Sequence, residues 1–191
     1  MQESVTGSER CPFLVLGDEI DQERIAKRPS VVAAPDVESW LVAAPFGPLS
    51  ISARGGCLVG VDFVVDGVSG HKSSNPVLEE TERQLSAYFQ DPNSRFNLPL
   101  QLNGTRFMRR AWQALLDIPA GSVETYGSLA QSLGSCARAI GSACRANLFP
   151  LIIPCHRVIS ARGLGGYCGH TSGPFFEIKC WLLRHEGCAL D

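Results

Sequence analysis

Residues 150–167, PLIIPCHRVISARGLGGY, set a thiol beside an imidazole, behind an apolar run and a proline. A cysteine attacks carbon only as its thiolate, and with an ordinary pKa of about 8.5 it needs help to ionise near neutral pH. Histidine is the side chain best suited to take that proton. Adjacency alone does not make a working pair, because consecutive side chains in a strand point to opposite faces. Cys155 and His156 cooperate only if the backbone turns sharply between them, which the surrounding Pro and Gly residues permit.

The elements that must build such a turn follow from hydrophobic periodicity. The stretch SWLVAAPFGPLSISARGGCLVGVDFVVDG, from Ser39, alternates apolar and small residues between Gly and Pro breaks and predicts two or three short strands. NPVLEETERQLSAYFQDP then spaces Val77, Leu78, Leu85, Tyr88 and Phe89 at helical intervals, with Asn75-Pro76 as a start and Asp91-Pro92 as a stop. The second half reads as helical. TRFMRRAWQALLDIPAG places Phe107, Ala111, Trp112, Leu115 and Leu116 along one stripe, capped by Thr105 and ended by Pro119. TYGSLAQSLG, with Leu129 and Leu133 inward and Gly134 at its end, and CARAIGSACRAN, with Ala139, Ile140 and Ala143 as its apolar side, are two short helices joined by a tight turn. That is a helix-turn-helix whose second helix offers Arg138 and Arg145 from its polar side.

The expected fold is therefore an α/β (α+β) N-terminal domain with a small antiparallel sheet, followed by a mainly α C-terminal domain containing a helix-turn-helix. Residues 1–40, polar and without sustained periodicity, read as an N-terminal extension. Residues 41–92 form the first domain, 93–104 a Pro/Asn-rich linker, and 105–191 the second domain. No internal repeat or low-complexity tract stands out.

A chain of 191 residues with 45% hydrophobic residues is ample for a real core. Its formal net charge of -2 conceals an asymmetry: residues 1–104 carry eight Lys/Arg against fourteen Asp/Glu, and residues 105–188 nine against four. A basic second half raises the odds of a polyanionic partner there. Eight cysteines, at 11, 57, 136, 144, 155, 168, 180 and 188, are many, but MQESVTGSER has no apolar h-region that would direct them to an oxidising compartment. Reduced thiols in the cytoplasm, or the nucleus of a eukaryote, are expected, and no stretch is apolar enough for a membrane span. There is no CxxC pair, so no structural zinc site is read, although Cys11, Cys57 and His71 could serve as ligands if the fold gathered them.

The order of helix-turn-helix, Asn147, IIPCHRVI, GLGGY and KCWLLRHEG resembles the O6-alkylguanine-DNA alkyltransferases. The resemblance runs over roughly residues 45–187 and is strongest from Phe107 onward. It implies repair of duplex DNA by irreversible transfer of an alkyl group from guanine O6 to Cys155, once per protein molecule, with no cofactor or catalytic metal. It implies that His156, acting through a water, and Glu186 behind it activate the thiol, and that Asn147 holds the turn bearing it. Tyr126 would deliver a proton to ring N3. Arg138 would take the place of a flipped-out base from the minor groove, beside small residues such as Ala139, and Arg145 and Arg162 would contact phosphates. Main-chain groups near Val158 and Cys168 would bind the guanine edge, Tyr167 would wall the pocket, and Lys179 would belong to the supporting shell. The partner implied is double-stranded DNA containing O6-alkylguanine, and a monomer is expected.

The stretch CGHTSGPFFEI, 168–178, is longer than the family's usual Gly-rich loop, which leaves adduct size open. Three other functions compete. A protein that recognises the lesion without accepting the group would lack Cys155. A Cys-His hydrolase would leave the helix-turn-helix and Arg138 unexplained. A regulator sensing alkylation would add a role to the transfer chemistry and would be expected to carry a further domain.

Overall fold

Three short runs rich in β-branched and aromatic residues form an antiparallel sheet in a computed structural model that describes residues 36–64 and 74–189. Strands β1 (Glu38–Val42), β2 (Leu49–Arg54) and β3 (Cys57–Phe63) lie in the order β1-β2-β3. Trp40 faces Ile51 and Ile51 faces Val61, so one row of large apolar side chains crosses the sheet. Strand β1 begins three residues inside the stretch read as an extension; residues 1–35, with Cys11, and His71 lie outside the described residues.

Helix α1 (Pro76–Gln90) covers the sheet with Leu78, Leu85 and Tyr88. It starts where its sequence says it should: the Asn75 side chain accepts from the Val77 N–H at 3.0 Å, and Pro76 occupies a position with no hydrogen bond to lose. The stretch expected as a linker is bonded to the sheet. The Leu58 N–H donates to the Pro99 carbonyl and the Gln101 N–H to the Leu58 carbonyl, at 2.8 and 2.9 Å. Backbone pairing of this kind leaves no trace in side-chain periodicity.

In the second half, Thr105 caps α2 (Arg106–Leu116), accepting from Met108 N–H at 3.2 Å. Ala111, Trp112 and Leu115 are buried, but Leu116 is 42% exposed, which corrects its place on the stripe. It sits about 90° around the helix from the middle of that buried line. The Trp112 indole donates to the Ala143 carbonyl at 2.9 Å and so ties α2 to the helix-turn-helix. The latter consists of α3 (Tyr126–Ser132) and α4 (Ala137–Arg145); Gly134 between them takes a φ of +62°, a left-handed turn that favours glycine. Helix α5 (Pro174–His185) closes the core with Phe175, Ile178, Leu182 and Leu183.

Two strands of two residues, β4 (Glu124–Thr125) and β5 (Val158–Ile159), pair in parallel and bring the start of α3 beside the Cys-His turn. They are too short to show a period and do not appear in the sequence reading. The two halves are sealed by aromatic edges: Phe46 meets Phe63, Phe89 and Trp181, with ring centroids at 5.8, 5.9 and 5.2 Å.

Candidate active site

The sharp turn at the Cys-His pair exists, and Asn147 holds it. Wholly buried at the exit of α4, its side chain accepts from the Phe149 N–H at 2.9 Å and donates to the Ile153 carbonyl at 2.9 Å and to Cys155 Sγ at 3.3 Å. One amide thus staples both ends of the intervening loop, tightly enough to keep Leu151 at a φ of +70°. Residues Cys155–Arg157 then form a single turn of 3-10 helix, in which consecutive side chains diverge by about 120°. Cys155 faces a cavity while His156, completely buried, points into the core.

Behind His156 stands Glu186, the C-cap residue of α5. Its Oε1 lies 2.9 Å from His156 Nε2, 2.8 Å from Arg157 Nη2 and 2.7 Å from the Tyr88 hydroxyl; its Oε2 accepts from Arg157 Nε at 2.9 Å. Burial alone would push the carboxyl up, but the hydrogen bonds from His156 and Arg157 outweigh it and hold it well below the usual carboxylate range. For His156 burial wins over Glu186, and the imidazole is pushed below its ordinary value, hence neutral near pH 7. A carboxylate only accepts, so Nε2 carries the proton. Nδ1, which has no partner among the described residues, is left with its lone pair.

The cavity encloses about 840 Å³ between the helix-turn-helix and the Gly-rich loop. Cys155 is on its wall with Tyr126, Tyr167 and Cys168, while Arg138 and Arg145 line it from α4 and make no ion pair among the described residues. Burial pushes the Tyr126 phenol up, so it stays a protonated donor. Val158 and Lys179 lie beneath: the Lys179 ammonium donates to the carbonyls of Val158, Leu164 and Gly166 at 2.7, 2.6 and 3.2 Å. Burial brings its amine down to about 8, against the opposing pull of the Cys155 and Cys144 thiols. Ala139 is half-buried and does not line the cavity, and Arg162 is exposed.

The long loop opens with a two-residue hairpin. Tyr167 and His170 exchange both backbone hydrogen bonds, and Cys168 and Gly169 between them have φ of +50° and +91°, as a type I′ turn requires. Gly166 is needed here, since a Cβ on it would lie 2.8 Å from the His170 carbonyl oxygen. His170 stacks on Phe175, which packs edge-on against Phe63 of β3.

Sequence reasoning missed three residues of the site. Cys144, whose thiol burial keeps protonated, lines the cavity beside Cys155 and was read only as one of eight cysteines, with no place in the site. Arg157 had a local signal, its place in CHR. Tyr88, separated from Glu186 by 98 positions, had none. Among the described residues no cluster of three His, Cys, Asp or Glu could hold a metal ion, and no helix is long and apolar enough to cross a membrane.

The fold and site define a helix-turn-helix protein with a cleft on whose wall lies a thiol, Cys155, next in the chain to an imidazole–carboxylate pair. Residues 106–188 match the 6-O-methylguanine DNA methyltransferase DNA binding domain, and residues 40–102 the ribonuclease-like domain of the same proteins. The methylated-DNA–protein-cysteine methyltransferase of Methanosarcina acetivorans is 34% identical over 151 residues, 75% of this chain and 94% of that one. Its counterpart in Mycobacterium leprae is 40% identical over 150 residues, 75% and 90%. The crystal structure of the Mycobacterium tuberculosis O6-methylguanine methyltransferase superposes with a TM-score of 0.68 at 33% identity, covering 78% of this chain and 92% of that one. The same organism's protein in complex with DNA gives 0.65 at 33% identity, covering 78% and 93%. The chain belongs to the methylated-DNA–protein-cysteine methyltransferase family.

Proposed function

We propose that this protein repairs DNA directly, moving a methyl group from O6 of guanine onto its own Cys155. The observation that carries this is the position of Cys155: it faces a cleft beneath the helix-turn-helix, held by Asn147 at 3.3 Å, on the turn that places His156 against Glu186. His156, neutral and with its Nδ1 lone pair available, takes the thiol proton through one intervening water, and Glu186 stabilises the resulting cation. The thiolate sulfur attacks the methyl carbon, the C–S bond forms as the C–O bond breaks, and the electron pair goes to guanine. Tyr126, kept protonated by burial, donates toward ring N3 and lowers the cost of that departing charge. The thioether formed is a poor leaving group, so each molecule acts once.

Guanine reaches the thiol by leaving the stack. Arg138 and Arg145 line the cleft from α4, and Arg138 fills the space the base vacates while Arg145 meets phosphate. Backbone groups at Val158 and Cys168 hold the guanine edge, with Tyr167 as a wall.

The test is intact mass spectrometry after incubation with a duplex carrying one O6-methylguanine, followed by peptide mapping. A single methyl on Cys155, absent from Cys155→Ala, is expected. An unmodified protein that still prefers the lesion would instead be a recognition or sensing protein, and the absence of both would overturn the proposal.

A further inference from the structure

We infer that Tyr88, in α1 of the N-terminal half, is a positioning residue for thiol activation: its hydroxyl holds Glu186 and so sets how strongly that carboxylate supports His156. This rests on the alkyl-transfer function proposed above. The Tyr88 hydroxyl donates to Glu186 Oε1 at 2.7 Å, the shortest of the four bonds that carboxylate receives. Oε1 is also the oxygen facing His156 Nε2 and Arg157 Nη2, so three donors share one atom.

The tyrosine ring has no freedom to withdraw. It is buried between Phe89, Phe96 and His185, with centroid distances of 5.8, 5.5 and 5.3 Å, and its own backbone carbonyl bonds His185 Nε2 at 2.8 Å. His185 precedes Glu186 in the chain, so the same residue pair clasps both ends of Tyr88. A packing role alone is met by phenylalanine, which the chain uses next door at position 89. A buried hydroxyl costs desolvation unless it finds an acceptor, and the acceptor found is the one carboxylate that the mechanism needs.

Donors compete for a carboxylate's charge. The groups facing the His156–Glu186 pair are Arg157 from the 3-10 turn, Lys179 from α5, Cys188 beyond it, Tyr167 from the hairpin, whose ring lies edge-on 6.5 Å from the imidazole, and Tyr88 from α1. Arg157 and Lys179 oppose an imidazolium by their charge. Tyr88 acts in the same sense without one, by drawing Glu186 away from His156. Removing the hydroxyl concentrates the carboxylate on His156, favours the imidazolium and leaves less free base at mildly acid pH.

The rate of methyl transfer from an O6-methylguanine duplex, measured from about pH 5 to pH 8, tests this in wild type, Tyr88→Phe and Leu85→Ala. The rate of iodoacetamide modification at Cys155, mapped over the same range without DNA, is the second readout. In Tyr88→Phe the acid limb moves to higher pH in both, with a loss of about fivefold on that limb, the worth of one hydrogen bond. Leu85→Ala loosens the same helix and lowers Tm, yet leaves the limb in place. A Tyr88→Phe limb that coincides with wild type, or an equal shift in Leu85→Ala, overturns the inference. Wild type that accepts no methyl overturns the function instead, while the iodoacetamide profile still decides on Tyr88. Should Tyr88→Phe not fold, difluorotyrosine at position 88 strengthens the donor and is expected to move the limb down; an unmoved limb overturns the inference equally.

Discussion

A buried lysine is a costly residue, and Lys179 shows what the site gains from one. Its ammonium donates to three carbonyls of the segment that follows the Cys-His turn. Two of those carbonyls belong to Val158 and Gly166, on either side of the Gly-rich turn, so the loop keeps its shape because one side chain bonds both its limbs. Lys179→Met preserves the length and removes the charge, depriving three carbonyls of its charged donor. We expect a loss of about 3 kcal/mol in urea unfolding, together with slower methyl transfer. A variant as stable as wild type would show that water replaces the ammonium without cost. Lys179 was legible from its place in IKCWLL only by likeness to a family. Its function as a loop clamp is a matter of distances.

At the scale of elements, turns decide more than helices do. Helices α1, α2 and α3 begin at Asn75, Thr105 and Thr125, side chains whose oxygens cap the first free N–H groups, and periodicity finds such helices because they depend on local chemistry. The hairpin at 167–170 is different. A type I′ turn favours Asn-Gly, and this chain places Cys168 at the first of two left-handed positions. Cys168→Asn puts a residue that tolerates that backbone there and is expected to stabilise the protein by about 0.5 kcal/mol, raising Tm by about 2 °C. Differential scanning calorimetry settles it, and a lower Tm would mean that the thiol's packing outweighs its strain. The pair β4–β5 has no sequence signal at all, yet it aligns Glu124 with Val158 and so sets Tyr126 beside the thiol.

The whole molecule is held at the site as much as the site is held by the molecule. Tyr88 of the N-terminal half and His156 and Arg157 of the turn converge on one carboxylate, that of Glu186 at the end of the last helix. Both titrating partners make the fold sensitive to acid. His156 lies below its ordinary value in the folded chain, so as pH falls through 6.5 the unfolded chain takes up a proton that the folded chain refuses, and stability drops. Glu186, held below the ordinary 4.5, contributes stability above that value and loses it as pH falls further. Unfolding free energies from urea titrations are therefore expected to decline from pH 7 to pH 5, by at most about 1.4 kcal/mol per pH unit from His156, and to decline again below pH 4.5. His156→Asn should flatten the first decline and leave the second. A first decline that survives this substitution would assign it to another group.

The sequence by itself determined the local things: the strands of the N-terminal sheet and four of the helices, where three helices start, the tight turn after Gly134, and which thiol has a histidine beside it. These depend on periods, caps and backbone preferences within a few residues of one another. The register of IPCHRV with RHEG also marked Asn147, His156 and Glu186 through likeness to a family. Only the tertiary structure decided what the carboxylate meets. Tyr88 reaches Glu186 across 98 positions, Lys179 reaches three carbonyls, and residues 99–101 pair with β3, because burial forces polar groups to find partners wherever packing brings them. No periodicity records such partners. They follow from the shape into which the apolar residues collapse.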